Sequence, residues 1–441
     1  MQKNGRKDLP VDTIILKSDL GRTCDEFVEG LFAGKMGVCA LRQTKFLLGG
    51  VVEHGTTLVS ALAKGLRPDR RVSPKKQREM VSRHLGTLDI LPALQDVLCA
   101  TTQLPADTPV AVDCSDLSKA FGGDGMEGME WGHDGSTGGK SMGHLFVSAA
   151  TVPGAGGVAR PFWMKLAMGK HGAPGLVAEA VRKVGDLSGK KAIGILDRGG
   201  DGMPTLRVLV GEGHRSVVRI AKMDRDVFGT GRGIDEDLSA RKPRRCFLRR
   251  NSGKMQDAFV RWKLGCLDIS EDSSKDGQPD CRRVLVVESH FDGKSLYFYR
   301  TLGEGELPEE KPPKEKLRAL AVQTAQLYLQ RWQIETSFLR VKQDFGLEDA
   351  RVRTFKRLEN LFALCYMAYH FVQFHMPGCG RYRKFVKVVK DNFDTVSLRA
   401  EVMLANLRIL LRETFVRLIS GRPRKRSRHD AFPEQLEFTF S

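Results

Sequence analysis

The chain has 441 residues, 41% of them hydrophobic and 28% charged, a balance that argues against wholesale disorder and a membrane-spanning bundle and accommodates two to four structural units. Lys and Arg number 71 against 53 Asp and Glu, a formal charge of +18, and a surface this basic attracts polyanions and releases their counterions. Nucleic acid is therefore the first partner implied, with a merely basic protein as the alternative.

Nine cysteines (Cys24, Cys39, Cys99, Cys114, Cys246, Cys266, Cys281, Cys365, Cys379) are scattered singly, with no C-x-x-C and no zinc-finger spacing, which fits a reducing cytosol. The start, MQKNGRKDLPVDT, leads into no apolar run, so no secretory signal is read. The most apolar stretch, LFALCYMAYHFVQFHM from Leu361, contains two histidines and follows a charged helix; it reads as a buried helix, and no membrane association is expected.

Residues 1–105 read as helical, with apolar residues at mixed three and four spacing in FLLGGVVEHGTTLVSALAKGL and LDILPALQDVL. Between these, Ser73 and Pro74 form an N-cap and N1 pair opening a helix that carries Lys75, Lys76, Arg78 and Arg83, either a DNA-contacting element or a solvated face. From Thr108 the texture becomes β: TPVAVDCSD, HLFVSAATV, RPFWMKLAM, a helix over APGLVAEAVRKVGDL, then KAIGILDRGG and SVVRIA, which together imply a mixed α/β sheet over 106–221. Residues 222–312 form a β-rich block read as an insertion, with period-two alternation in FVRWKLGCLDI, RVLVVES and KSLYFYRT, an FDGKS hairpin, and a closing Pro- and charge-rich connector. Helices dominate 313–375, and 376–441 is read as a helical region ending in a basic tail with Arg422, Arg424, Lys425, Arg426 and Arg428.

The chemistry gathers on the helix YLQRWQIETSFLRVK. At 100° per residue Tyr328, Arg331, Glu335 and Lys342 fall within one arc about 60° wide, beside an apolar stripe of Leu327, Ile334, Phe338, Val341 and Phe345. A carboxylate on that edge is held by the core yet faces a cleft; a plain Arg331–Glu335 surface pair is the bland alternative. Asp113 ends the apolar run VAV and Asp197 ends AIGIL, so both are expected at the carboxyl ends of central strands, where active sites of α/β sheets converge. Two aspartates and a helix glutamate are suited to two Mg²⁺ ions, hard cations that take oxygen ligands. Asp116, three residues after Asp113, competes with it as the first acid.

Tyr328, Arg331, Glu335 and Lys342 match Y-x2-R-x3-E-x6-K, and in this the chain resembles the IS4-type DDE transposases. DCSD at 113–116 resembles that family's first-aspartate motif D-x-[ST], which favours Asp113 over Asp116, and LDRG at 196–199 resembles the second. The resemblance spans residues from about 108 to 375. It implies an RNase H-like catalytic core in two parts, 106–221 and 313–375, split by the β-rich insertion, with a helical N-terminal DNA-binding region. It implies that Asp113, Asp197 and Glu335 bind two Mg²⁺ ions, for which Mn²⁺ can substitute, and that Tyr328, Arg331 and Lys342 grip phosphates at the transposon end. Trp332 would stack on a displaced base or pack as an interface aromatic. The spacing accords with this: 84 positions separate Asp113 from Asp197, and 138 separate Asp197 from Glu335, a gap that calls for an insertion.

The implied activity is cut-and-paste transposition, with double-stranded DNA (terminal inverted repeats and target) as partner, a homodimer synapsing two ends, and a bacterial cytoplasmic, nucleoid-associated location. The alternatives are a catalytically silent DNA-binding derivative and a nuclease without strand transfer. Other signals are set aside. G-x-G-x-x-G at 123–128 runs on into more glycine where a dinucleotide motif needs a helix, and no Walker A motif occurs, so no nucleotide cofactor is expected. Glu288 lies mid-strand without a basic signature. RKPRRCFLRR at 241–250, which includes Arg244 and Arg245, tracks a DNA backbone or forms a solvated edge.

Overall fold

The computed structural model describes residues 9–64, 72–118, 125–133, 138–154, 157–169, 173–250, 252–270, 280–303, 312–392 and 402–410. The basic loop at 65–71, most of the connector and the basic tail lie outside the described residues. The chain divides into two units, residues 24–373 and residues 1–23 with 374–441.

In chain order the elements are α1 (Leu9–Phe32), α2 (Val38–His54), α3 (Val59–Leu62), α4 (Pro74–Thr87) and α5 (Ile90–Thr101), then β1 (Pro109–Ser118), β2 (Glu130–His133), β3 (Lys140–Thr151) and β4 (Arg160–Ala167). There follow α6 (Ala173–Ser188), β5 (Ile193–Leu196), α7 (Met203–Leu206), β6 (Ser216–Arg219), α8 (Ile234–Ser239), β7 (Arg244–Arg249), β8 (Met255–Asp268), β9 (Cys281–Phe291) and β10 (Lys294–Thr301). The run ends with α9 (Lys314–Gln330), α10 (Trp332–Leu339), a wide π-turn over Arg340–Asp344, α11 (Phe355–His370) and, in the smaller unit, α12 (Tyr382–Asn392). In that smaller unit Lys384 Nζ bonds Asp19 at 2.6 Å.

Within the larger unit one mixed sheet runs β2-β3-β1-β5-β6-β10-β9-β8-β7, with β4 also paired to β3. β1, β5 and β6 are parallel, and β3 and β10 flank them antiparallel. This mixed α/β arrangement is compatible with an RNase H-like core. Because side chains alternate along a strand, the two faces of β1 and β3 carry different helices. Phe146 of β3 packs against Phe338 of α10 and Phe362 of α11. Val112 of β1 shares a small cavity with Val181 and Val184 of α6 on the other face.

Three features of the structure bear on the organisation expected from the sequence. The boundary expected at 105/106 separates no bodies, because α2, α4 and α5 pack on α11, and the helices from Cys24 onward belong with the sheet. The β-rich block at 222–312 extends the central sheet, since β10 pairs with β6 at Phe298↔Arg219. The glycine-rich stretch after β1 contains β2, paired with the start of β3.

Local expectations are otherwise visible. Ser73 Oγ accepts from Lys76 N at 3.4 Å and Pro74 opens α4; Val81 and Leu85 turn inward while Lys75, Lys76, Arg78 and Arg83 stay exposed. Asp292 and Gly293 both have positive φ (50° and 70°), the primed turn expected of a two-residue hairpin, and they join β9 to β10. In the G-x-G-x-x-G stretch, Gly123 and Asp124 lie outside the described residues, while Glu127 accepts from Phe355 N at 2.8 Å at the start of α11. Among the described residues no helix is long and apolar enough to cross a membrane, and α11, from Leu358 on almost wholly buried, is a core helix.

The last residue of α11 makes the fold sensitive to acid. Burial first, and then the charge of Arg160, lower the His370 imidazole from 6.5 to about 4, against a backbone hydrogen bond at Pro161 that works the other way. The unfolded chain takes up this proton near 6.5 and the folded chain only near 4. The stability contributed by the neutral ring is therefore complete above about 6.5 and is lost as pH falls toward 4, roughly 3 kcal/mol over that window. Urea midpoints should drop between pH 6.5 and 4.5, and His370→Gln should flatten that drop; an unchanged acid limb in the variant would refute the assignment.

Candidate active site

β1 and β5 run side by side through Val112↔Leu196 and part at the next residues, Asp113 and Asp197. Asp197 follows the last residue of β5, as expected. Asp113 does not end its strand: β1 continues to Ser118, paired with β3 as far as Gly143, so the aspartate lies mid-strand where only the parallel neighbour stops.

α9 supplies the third side of the site. It packs along the sheet against β7, β8, β9, β6 and β5, over a floor that sets Ala325 and Val322 among Cys246, Leu248, Ala258 and Val260. Gln326 fastens it: its Oε1 accepts from Arg249 N at 2.7 Å and its Nε2 donates to Arg249 O at 2.8 Å, along the edge of β7. The helical course continues through Arg331 (φ −53°, ψ −36°) into α10, which packs on β1. Leu327, Ile334, Phe338, Val341 and Phe345 are all buried, as the apolar stripe requires.

The result is a convergence on one guanidinium. Arg331, only 7% exposed, donates from Nη1 to Asp113 Oδ2 and from Nη2 to Glu335 Oε1 at 2.5 Å, with Asp197 Oδ2 3.6 Å from Nη2. The Tyr328 hydroxyl donates to Asp197 Oδ1 at 2.7 Å. Arg219, at the end of β6, donates to Asp197 Oδ1 and to the Tyr328 hydroxyl, both at 3.4 Å. The sequence alone does not single out Arg219. The rule that finds Asp197, convergence at the carboxyl ends of parallel strands, also covers it, but a four-residue strand ending in arginine carries no signature of its own.

Burial is the largest influence on Asp113 and, with the neighbouring Asp197 and Glu335, lifts it to about 7 against the pull of Arg331. Asp197 is half-buried, and its desolvation raises its pKa, but Arg331, the Tyr328 hydroxyl, the Arg198 N–H and Arg219 outweigh that cost and lower it. Burial raises the Tyr328 phenol to about 12, so the hydroxyl keeps its proton and acts as a donor. Among the described residues no three His, Cys, Asp or Glu side chains are grouped so as to hold a metal ion as they stand, because the triad is arranged around the guanidinium.

Other expected residues lie elsewhere. Lys342 is 3.4 Å from Asp116 and 3.7 Å from Glu348. Arg340–Asp344 is a wider π-turn, and Val341 and Phe345, within and after it, keep to the buried stripe. Trp332 is 52% exposed beside the site. Arg244 and Arg245 lie on β7 at the far edge of the sheet, with Arg245 paired to Asp257 at 2.9 Å and 3.0 Å. Glu288 is held in the sheet by Arg261 at 2.7 Å and Ser295 at 2.9 Å. Asp201, 2% exposed, is a structural peg: it accepts from Ala221 N and Lys222 N at 2.7 Å and 2.9 Å and pairs with Arg225, tying the turn after β5 to the end of β6.

Residues 282–371 match the transposase DDE domain family. The match supports a DDE transposase family and covers β9 to α11, hence Tyr328, Arg331, Glu335 and Lys342, and leaves Asp113 and Asp197 to geometry. No curated protein matches the chain. DDE transposases act on DNA with divalent metal ions. The donor set here fits that chemistry: three carboxylates from separate elements share a single cation, and hard oxygen donors of this kind are what Mg²⁺ and Mn²⁺ take.

Proposed function

We propose that the protein is an IS4-type, cut-and-paste DNA transposase, which nicks the ends of a mobile element and joins the freed 3′-hydroxyl to target DNA. The observation that carries this reading is the meeting of Asp113, Asp197 and Glu335 on one cation, with Tyr328 and Arg331 of the signature inside the same cluster. The three carboxylates would hold two Mg²⁺ ions, or Mn²⁺ in their place. When bound, the metal supplies Lewis-acid activation of water or a 3′-hydroxyl and stabilises the leaving oxygen.

The chain's own residues bind and orient. Tyr328 and Arg219 fix one oxygen of Asp197, so its other oxygen faces Arg331. The fork of Arg331 matches a phosphate as well as it matches carboxylates, and Lys342 supplies a point charge further along the same element. The exposed Trp332 would stack on an unpaired base, and Arg244 and Arg245, on β7, would follow the DNA backbone. The partners are terminal inverted repeats and target DNA, held by a homodimer in a synaptic complex. The setting is the bacterial cytoplasm, at the nucleoid.

Labelled DNA carrying the sequences that flank the gene, incubated with the protein and Mg²⁺ or Mn²⁺, should be cut at the element's ends and joined to a second duplex. Cutting without joining would make the protein a nuclease, and binding without cutting would make it a silent end-binding protein.

A further inference from the structure

The triad is already occupied by a cation of the protein's own. Arg331 touches all three carboxylates from a position almost sealed from solvent, and its guanidinium also lies over the Tyr328 ring, 5.4 Å from the centroid. Arg331 stands one turn before Glu335, so its long side chain can leave the cluster by rotation while the helix stays in place. Without it, the three carboxylates would face each other with Arg219 beside Asp197 as a partial counter-charge, an unfavourable arrangement.

We propose that Arg331 is an internal counter-cation that competes with divalent metal for Asp113, Asp197 and Glu335, so that metal loads tightly only when a DNA phosphate draws the guanidinium away. This rests on the reading of the three carboxylates as metal ligands. Two cations cannot share the same lone pairs, and the planar fork that grips a carboxylate serves a phosphate oxygen pair equally well. The free protein is thereby kept folded around three clustered carboxylates and kept from cutting without bound DNA. Arg331 acts here as a positioning residue, gating the carboxylates that do the binding.

The test uses the full-length protein and Mn²⁺ alone, with bound metal counted by electron paramagnetic resonance and heat of binding. Without DNA, Arg331→Gln should bind Mn²⁺ at least tenfold more tightly than wild type, and Arg331→Lys, whose single ammonium cannot bridge three carboxylates, should fall between. Adding a mixed-sequence duplex should tighten Mn²⁺ binding by the wild type and change that of Arg331→Gln little. Circular dichroism checks that each variant folds, and Arg331→Lys decides the matter if Arg331→Gln does not. Equal affinity in wild type and both variants, lost in Asp113→Asn, overturns the counter-cation and leaves the metal site standing. Absence of Mn²⁺ binding in every protein, with and without DNA, overturns both.

Discussion

Glu335→Gln should lose metal-dependent DNA cutting by more than about a hundredfold, the loss seen even when a group that merely supports a metal ligand is removed, and keep DNA binding within about twofold. The amide has the shape of the carboxylate and retains an oxygen to accept from Arg331 Nη2, now at 2.5 Å, so α10 has no reason to shift. What disappears is the anionic oxygen. Tyr328→Phe should cost less, about ten- to a hundredfold, because it leaves Asp197 Oδ1 to Arg219 alone without removing a carboxylate. Single-turnover cleavage of end-labelled DNA beside a band-shift titration separates the two effects. Cutting by Glu335→Gln within tenfold of wild type would remove Glu335 from the triad.

Asn360→Ala should destabilise the larger unit by about 3 kcal/mol, one of the largest single-residue effects expected in it. Asn360 is fully buried on α11, where its Nδ2 donates to Leu85 O at 2.9 Å and Leu88 O at 2.7 Å and its Oδ1 accepts from Ile90 N at 3.0 Å. One side chain thus completes the backbone of the turn joining α4 to α5. Alanine strands two carbonyls and an N–H where the surrounding core admits no replacement, and leucine, though apolar and of similar reach, rescues none of them. The measurement is the urea midpoint at unchanged slope, and a loss under about 1 kcal/mol would show that water or a shifted helix satisfies the turn. Because α4 presents Lys75, Lys76, Arg78 and Arg83, the same variant should weaken any DNA contact made through that helix.

How much of the fold and the site is legible in the sequence depends on how local the signal is. The stripe from Leu327 to Phe345 obeys helix periodicity, and the structure buries every member of it. Asp197 sits where an apolar run stops, which is also where β5 stops. Asp113 looks the same in sequence yet lies mid-strand, because strand length is set by the partner on each side, and β3 runs on after β5 has ended. Lys342 meets Asp116 and Glu348, contacts that no periodicity announces. The Arg331 cluster can be suspected from i,i+4 spacing to Glu335, but its link to Asp113 spans 218 positions and exists only once β1 and α10 are packed. Arg219, Asp201 and Gln326 act through contacts of the same long-range kind.

The pairing of β10 with β6 bears on how the chain tolerates change. The 138 positions between Asp197 and Glu335 suggest a removable module, of the sort that surface insertions usually are. Excision would instead bare the edge of β6 and take away β7, β8 and β9, the ground on which α9 is laid. Tyr328, Arg331 and Glu335 would then have nothing to hold them at the height of the two aspartates. A trimmed version of this protein, built by joining 221 to 312, should be a sticky fragment and not a smaller version of the same fold.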